Sequence, residues 1–159
     1  GISGERKLLS GDILNIDVTV ILDGWYGDTS RMYYVDTPPI KSQRLTEVTY
    51  DCLMYGIEAA KPGKRLGDIG HAIQTYAEKN RYSVVRDFTG NGLGKVFHCA
   101  PTVLHFGTPG TGMVLEPEQA IDQQAGHGGF PLAVTHIEGH VVGLSGAQHL
   151  LVVRENIDL

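Results

Sequence analysis

Residues 12 to 22 divide into two sides of different character. Ile13, Asn15, Asp17, Thr19 and Ile21 fall on one side, and Leu14, Ile16, Val18, Val20 and Leu22 on the other, a period of two that predicts a β-strand with one fully apolar face. Asp23-Gly24 supplies a tight turn, so residues 30 to 35 are expected to return as the partner strand, ended by Pro38-Pro39. From Ser42 the period becomes helical. Leu45, Val48, Cys52, Tyr55 and Ala59 line one side, Ser42 or Thr46 is a candidate cap, and Pro62-Gly63 stops the run. A second helix is expected from about 66 to about 80, burying Ile69, Ile73, Tyr76 and Ala77. A short strand candidate at 82–85 precedes glycine-rich residues 90–94, and further strand candidates lie around 113–115, 120–124, 132–143 and 148–153. Strands, then two helices, then strands is the order of an α+β domain with a mainly antiparallel sheet.

The hairpin also carries the first chemistry. A carboxylate within an apolar strand is costly to bury without compensation, so Asp17 needs a partner such as a metal ion. Asp28 follows just past the turn, and a hairpin returns it toward Asp17. Two carboxylates on one sheet face make a site for a hard cation.

Composition narrows the class. At 159 residues and 42% hydrophobic content the chain has the size of one globular domain with a real core. A net charge of -5 with scattered basic residues argues against nucleic acid as a partner. No apolar run reaches bilayer-spanning length, and the N-terminus lacks the plan of a signal peptide, so a soluble, cytoplasmic protein without a membrane partner is expected. Cys52 and Cys99 form no metal or redox spacing and are read as reduced thiols. Twenty-one glycines, many in turn-like pairs, suit a sheet-rich fold with sharp corners.

The stretch from Asn15 through Asp17, Thr19, Asp23-Gly24 and Gly27-Asp28-Thr29-Ser30 to Tyr34 closely resembles the methionine aminopeptidases, whose first two metal ligands are the aspartates of an N-I-D-V-T-V…D-G…G-D-T-S segment. The similarity continues through Val85-Arg86-Asp87-Phe88-Thr89-Gly90, Val96-Phe97-His98-Cys99-Ala100-Pro101 and Val103-Leu104-His105-Phe106-Gly107, and weakens beyond about residue 119. The resemblance implies the pseudo-twofold pita-bread (creatinase/aminopeptidase-like) α+β fold, with a curved, mainly antiparallel sheet and helices on one face. It also implies one partial catalytic domain over residues 1–159, with the N-terminal part of the usual fold missing. The implied activity is removal of the initiator methionine from the N-terminus of a peptide or nascent chain, using two divalent cations held by two Asp, one His and two Glu. Paired ions about 3.5 to 4 Å apart activate a bridging water in such hydrolases.

Carried over residue by residue, the ligand set is incomplete. Asp17 and Asp28 match without a gap, but Asn91 stands where the family has the histidine of G-H-G-I-G. An amide oxygen replaces imidazole poorly on a transition metal, although it serves a hard cation. Counting on from Leu115-Glu116-Pro117 places neutral Gln124 at the first glutamate position; a two-residue deletion would align Glu116 instead. At the second glutamate position Gln148 competes with Glu138, and the prolidase-like pattern over His136-Ile137-Glu138 favours Glu138. The resemblance therefore implies a divalent metal of the Mn, Co, Fe or Zn class, at most one ion binding well, and a peptidase with weak or absent activity. The alternative is a non-catalytic module that holds a peptide or protein on the same fold. His98 matches a family histidine that contacts the substrate peptide.

Other features have plainer readings. His136 and His140 flank Glu138 at the wrong offset for a helical zinc motif, and on one strand they would share its face, leaving a satellite metal contact open. Trp25, Tyr26, Tyr33 and Tyr34 read as hairpin packing. No Lys-Ser/Thr follows the glycines at 90–94 as a phosphate loop requires.

Overall fold

The chain opens with the expected hairpin: β1 (Ile13–Leu22) and β2 (Trp25–Tyr34) pair antiparallel without interruption, from Ile13 opposite Tyr34 to Leu22 opposite Trp25. Asp23 and Gly24 both adopt positive φ, 50° and 79°, the backbone of a two-residue turn whose twist matches that of the strands. The return strand therefore starts at Trp25, five residues before the expected position. The computed structural model describes residues 4–116, together with the backbone of residues 134–137, 140–143 and 154–155.

Two helices follow. α1 (Ile40–Ala59) begins directly after Pro39, so Ser42 and Thr46 lie inside it and neither caps it. Proline needs no hydrogen-bond acceptor for its nitrogen, which makes it an apt residue at a helix start. Thr46 instead donates its hydroxyl to the Ser42 carbonyl at 2.9 Å. α2 (Leu66–Lys79) is held at its start by Asp68, whose carboxylate accepts the Arg65 N–H at 2.7 Å and the Gly110 N–H at 2.8 Å, joining the helix to the loop that packs on it. The helices cross closely at Gly56, where an added Cβ would come within 2.8 Å of Ile73 Cδ1.

The core lies between these helices and the strands beyond. Val48 and Cys52 of α1 meet Ile69, Ile73 and Ala77 of α2, with Tyr82, Val84, Val103 and Leu115 closing the cluster. Tyr76 is only partly buried, because its hydroxyl reaches Asp51 at 2.8 Å. Burial pushes the Cys52 thiol up to about 12, with the Asp51 carboxylate adding to the effect, so Cys52 behaves as a small core residue. Both Cys52 and Cys99 are free.

Every strand pairing is antiparallel among the described residues. β3 (Tyr82–Ser83) pairs with β8 (Arg154–Glu155), and a four-stranded sheet has the order β5-β4-β7-β6, built from β4 (Gly90–Leu93), β5 (Cys99–Val103), β6 (Val134–Ile137) and β7 (His140–Gly143). The glycine-rich segment is thus an inner strand, and Cys99 opens the edge strand β5 beside it. The pairing of β4 with β5 shifts between Asn91, opposite Thr102, and Gly92, opposite Cys99. A Cβ on Gly92 would run into the Ala100 carbonyl, so only glycine lets the displaced backbone pass.

Several strand expectations change. Val114 forms only a single bridge to Arg65 in place of a strand over 113–115. The candidate over 132–143 is two strands, with His136 opposite Val141 and Ile137 opposite His140. That register sets positions 136 and 140 on opposite faces of the ladder, so the shared face expected for the two histidines does not form. The candidates at 120–124 and 148–153 lie outside the described residues. No helix among the described residues is long and apolar enough to cross a membrane.

Candidate metal centre

The hairpin register sets the geometry of the site. Asp17 lies opposite Ser30 and Thr19 opposite Asp28, so positions 17, 19, 28 and 30 share one face and the two aspartates are diagonal neighbours. Diagonal positions of an antiparallel pair are about 7 to 8 Å apart, close enough for two carboxylates to converge on one ion. The opposite face, the apolar one, is open: Ile16 is 46% exposed, Val20 56% and Leu22 73%.

Asp28 is 7% exposed and accepts the Thr19 hydroxyl on Oδ1 at 2.8 Å. Both carboxylate oxygens of Asp17 are shielded from solvent. Two acidic groups withdrawn from water on one sheet face carry a desolvation cost that a cation between them offsets. Carboxylate oxygens of this kind suit a divalent cation. Among the described residues no third His, Cys, Asp or Glu joins the pair, and Glu116, which is exposed, stands outside it.

Asn91 sits half-buried on β4, opposite Thr102 on one side and Gly143 on the other. Its Nδ2 donates to the Gly92 carbonyl at 2.9 Å, which turns the amide so that Oδ1 is its remaining donor atom for a cation. Gln124, Glu138 and the alternative Gln148 lie outside the described residues.

His98 is joined to the hairpin by a ladder of rings. Its imidazole stacks on Phe97 with centroids 3.8 Å apart, and Phe97 stacks on Tyr26 at 5.3 Å. Tyr26 lies two positions before Asp28 and so on the aspartate face, and its N–H donates to the Gly94 carbonyl at 2.9 Å. His98 takes φ of 60°, a left-handed conformation unusual for a residue with a side chain, and the residue is exposed. Tyr26 thus packs as expected for a hairpin aromatic, whereas Trp25, Tyr33 and Tyr34 stay more than two-fifths exposed.

Sequence reading missed Thr19. It was legible as a polar residue on the aspartate face, but the cross-strand register that brings its hydroxyl to Asp28 was not.

The family model for metallopeptidase family M24 matches residues 1–154. A methionine aminopeptidase from Rickettsia prowazekii is 53% identical over 144 residues, covering 89% of this chain and 56% of that protein. A crystal structure of methionine aminopeptidase from the same organism superposes with a TM-score of 0.72 at 51% identity, over 90% of this chain and 58% of that one. The prolidase from Pyrococcus furiosus shares the fold alone, with a TM-score of 0.64 at 21% identity over 73% of this chain and 34% of that one. The chain therefore spans just over half the length of the curated relative it matches, and its architecture is the antiparallel, helix-backed pita-bread arrangement of these proteins in partial form. By sequence and by fold, the chain belongs to metallopeptidase family M24.

Proposed function

We propose that the aspartate face of the hairpin binds one divalent cation of the Mn, Co, Fe or Zn class, and that the N-terminus of a peptide is bound beside it. The chemistry is that of a methionine aminopeptidase, with weak turnover. The observation that carries this reading is the placement of Asp17 and Asp28 on one face with their carboxylates withdrawn from water.

Glu138 is assigned as the third carboxylate, with Asn91 and Gln124 at the positions where the family holds its second ion. When bound, a divalent cation supplies Lewis-acid polarisation of the peptide carbonyl and an activated water nucleophile. Asp17 and Asp28 contribute the negative charge that retains it. His98, which matches the family histidine that contacts the substrate peptide, would donate a hydrogen bond to the substrate carbonyl as charge develops there. The stacked Phe97 and Tyr26 hold the imidazole in position, so that part of the ordering entropy is met before substrate arrives.

Asn91 favours a second reading. Its amide carries no basic nitrogen, and its Nδ2 is committed to a backbone carbonyl. A site so altered would hold a peptide without cleaving it. Hydrolysis of a Met-Ala-Ser peptide in excess Co(II) or Mn(II) separates the two. A metal-dependent rate that Asp28→Ala abolishes supports the peptidase; peptide affinity that survives chelator, with no hydrolysis, supports the binding module.

A further inference from the structure

We infer that Thr19 is a positioning residue for the metal ligand Asp28. The inference rests on the single-cation reading above. Thr19 lies directly opposite Asp28 in the hairpin, and its hydroxyl donates to Asp28 Oδ1 at 2.8 Å. Asp28 is 7% exposed, so bulk water does not readily replace that donor.

The carboxylate torsion of an aspartate is broad and intrinsically soft. A single hydroxyl hydrogen directed at Oδ1 selects one setting of that torsion and occupies one of its lone-pair positions. Oδ2 and the remaining lone pair of Oδ1 are then held in one orientation toward a cation. The hydroxyl also offsets part of the cost of holding Asp28 away from water before any ion arrives. Partners that orient a ligand in this way typically change metal affinity by about ten- to a hundredfold.

Thr19 is the right kind of position for a decisive substitution. Valine has nearly the same shape and favours strands, so Thr19→Val removes the hydrogen bond while leaving the hairpin its β-branched residue. Serine keeps the hydroxyl and loses only the methyl group.

The test is Mn(II) binding to the 159-residue chain, followed by calorimetry and by the resonance signal of free Mn(II), for the parent chain, Thr19→Val and Thr19→Ser. Thermal unfolding midpoints are recorded alongside. The inference requires Thr19→Val to weaken Mn(II) binding by about tenfold in a chain that remains folded, though with a lower midpoint, and Thr19→Ser to recover most of that affinity. Equal affinity in the parent and Thr19→Val overturns it, as does a Thr19→Ser chain as weak as Thr19→Val. A Thr19→Val chain that fails to fold also overturns it, since the hydroxyl would then hold the hairpin and not the ligand. No Mn(II) binding by the parent chain removes this inference and the metal reading together, whereas the other outcomes leave the metal reading standing.

Discussion

Gly92 shows how much one residue determines here. It stands beside Asn91 on β4, where the register with β5 shifts and the Ala100 carbonyl occupies the space a side chain would need. Gly92→Ala is expected to destabilise the chain by about 1 to 3 kcal/mol, the usual range for an overpacked interior position, read from urea unfolding. A variant as stable as the parent would mean that β5 can move aside at little cost. The aspartates are the opposite kind of residue. They cost the fold energy, and their retention beneath the surface is what points to a ligand. Asp17 was legible in the sequence because an acidic residue inside a largely apolar strand is conspicuous, and Asp28 because the Asp23-Gly24 turn returns it toward Asp17. Thr19 was not, since a threonine on a polar strand face is unremarkable until its cross-strand partner is known.

Among the elements, α2 carries the most information. Its buried face supplies Ile69, Ile73 and Ala77, and Ile73 sits where the two helices approach most closely. Ile73→Ala should cost about 2 to 5 kcal/mol, measured as a lower midpoint in denaturant with an unchanged slope. The start of α2 has a pH signature. The Gly110 and Arg65 backbone N–H groups hold the Asp68 carboxyl below its usual range. A depressed carboxyl stabilises the fold above its unfolded pKa of about 3.9, and the contribution is lost as pH falls through the lower folded value. Asp68→Ala should therefore lower the unfolding temperature at neutral pH, and the difference from the parent should shrink as the solution is made acidic. A difference that grows toward acid would contradict the assignment. Helical periodicity foretold both helices. It misplaced the start of α1, because proline began the helix where a side-chain cap was sought. The strand β4 was harder to read, since Gly90-Asn91-Gly92 has no hydrophobic alternation; β5 and β7 on either side make it a strand.

At the scale of the molecule, the described residues form a well-packed region, where α1 and α2 meet the strands, and a long hairpin joined to it. The join is made by the Tyr26–Gly94 backbone hydrogen bond and by the Tyr26–Phe97–His98 ladder. Lys95, whose ammonium lies 5.3 Å from the centre of the Trp25 ring, adds a further contact between the hairpin and the segment that carries His98. Family and fold were legible from the hairpin motif and from the Phe97-His98 segment, whose spacing survives intact. The full ligand set was less so. Two of its proposed members follow Pro117, where motif similarity weakens and two alignments compete, and only a register of folded strands could choose between them.

The cation proposed between Asp17 and Asp28 can be counted directly. Calorimetric titration of Mn(II) into the chain and into Asp28→Asn does so, because the substitution keeps the shape of the side chain and removes its charge. One bound ion per chain is expected, lost in Asp28→Asn while the fold persists by circular dichroism. Two tightly bound ions, none at all, or one whose affinity is indifferent to Asp28→Asn would contradict it.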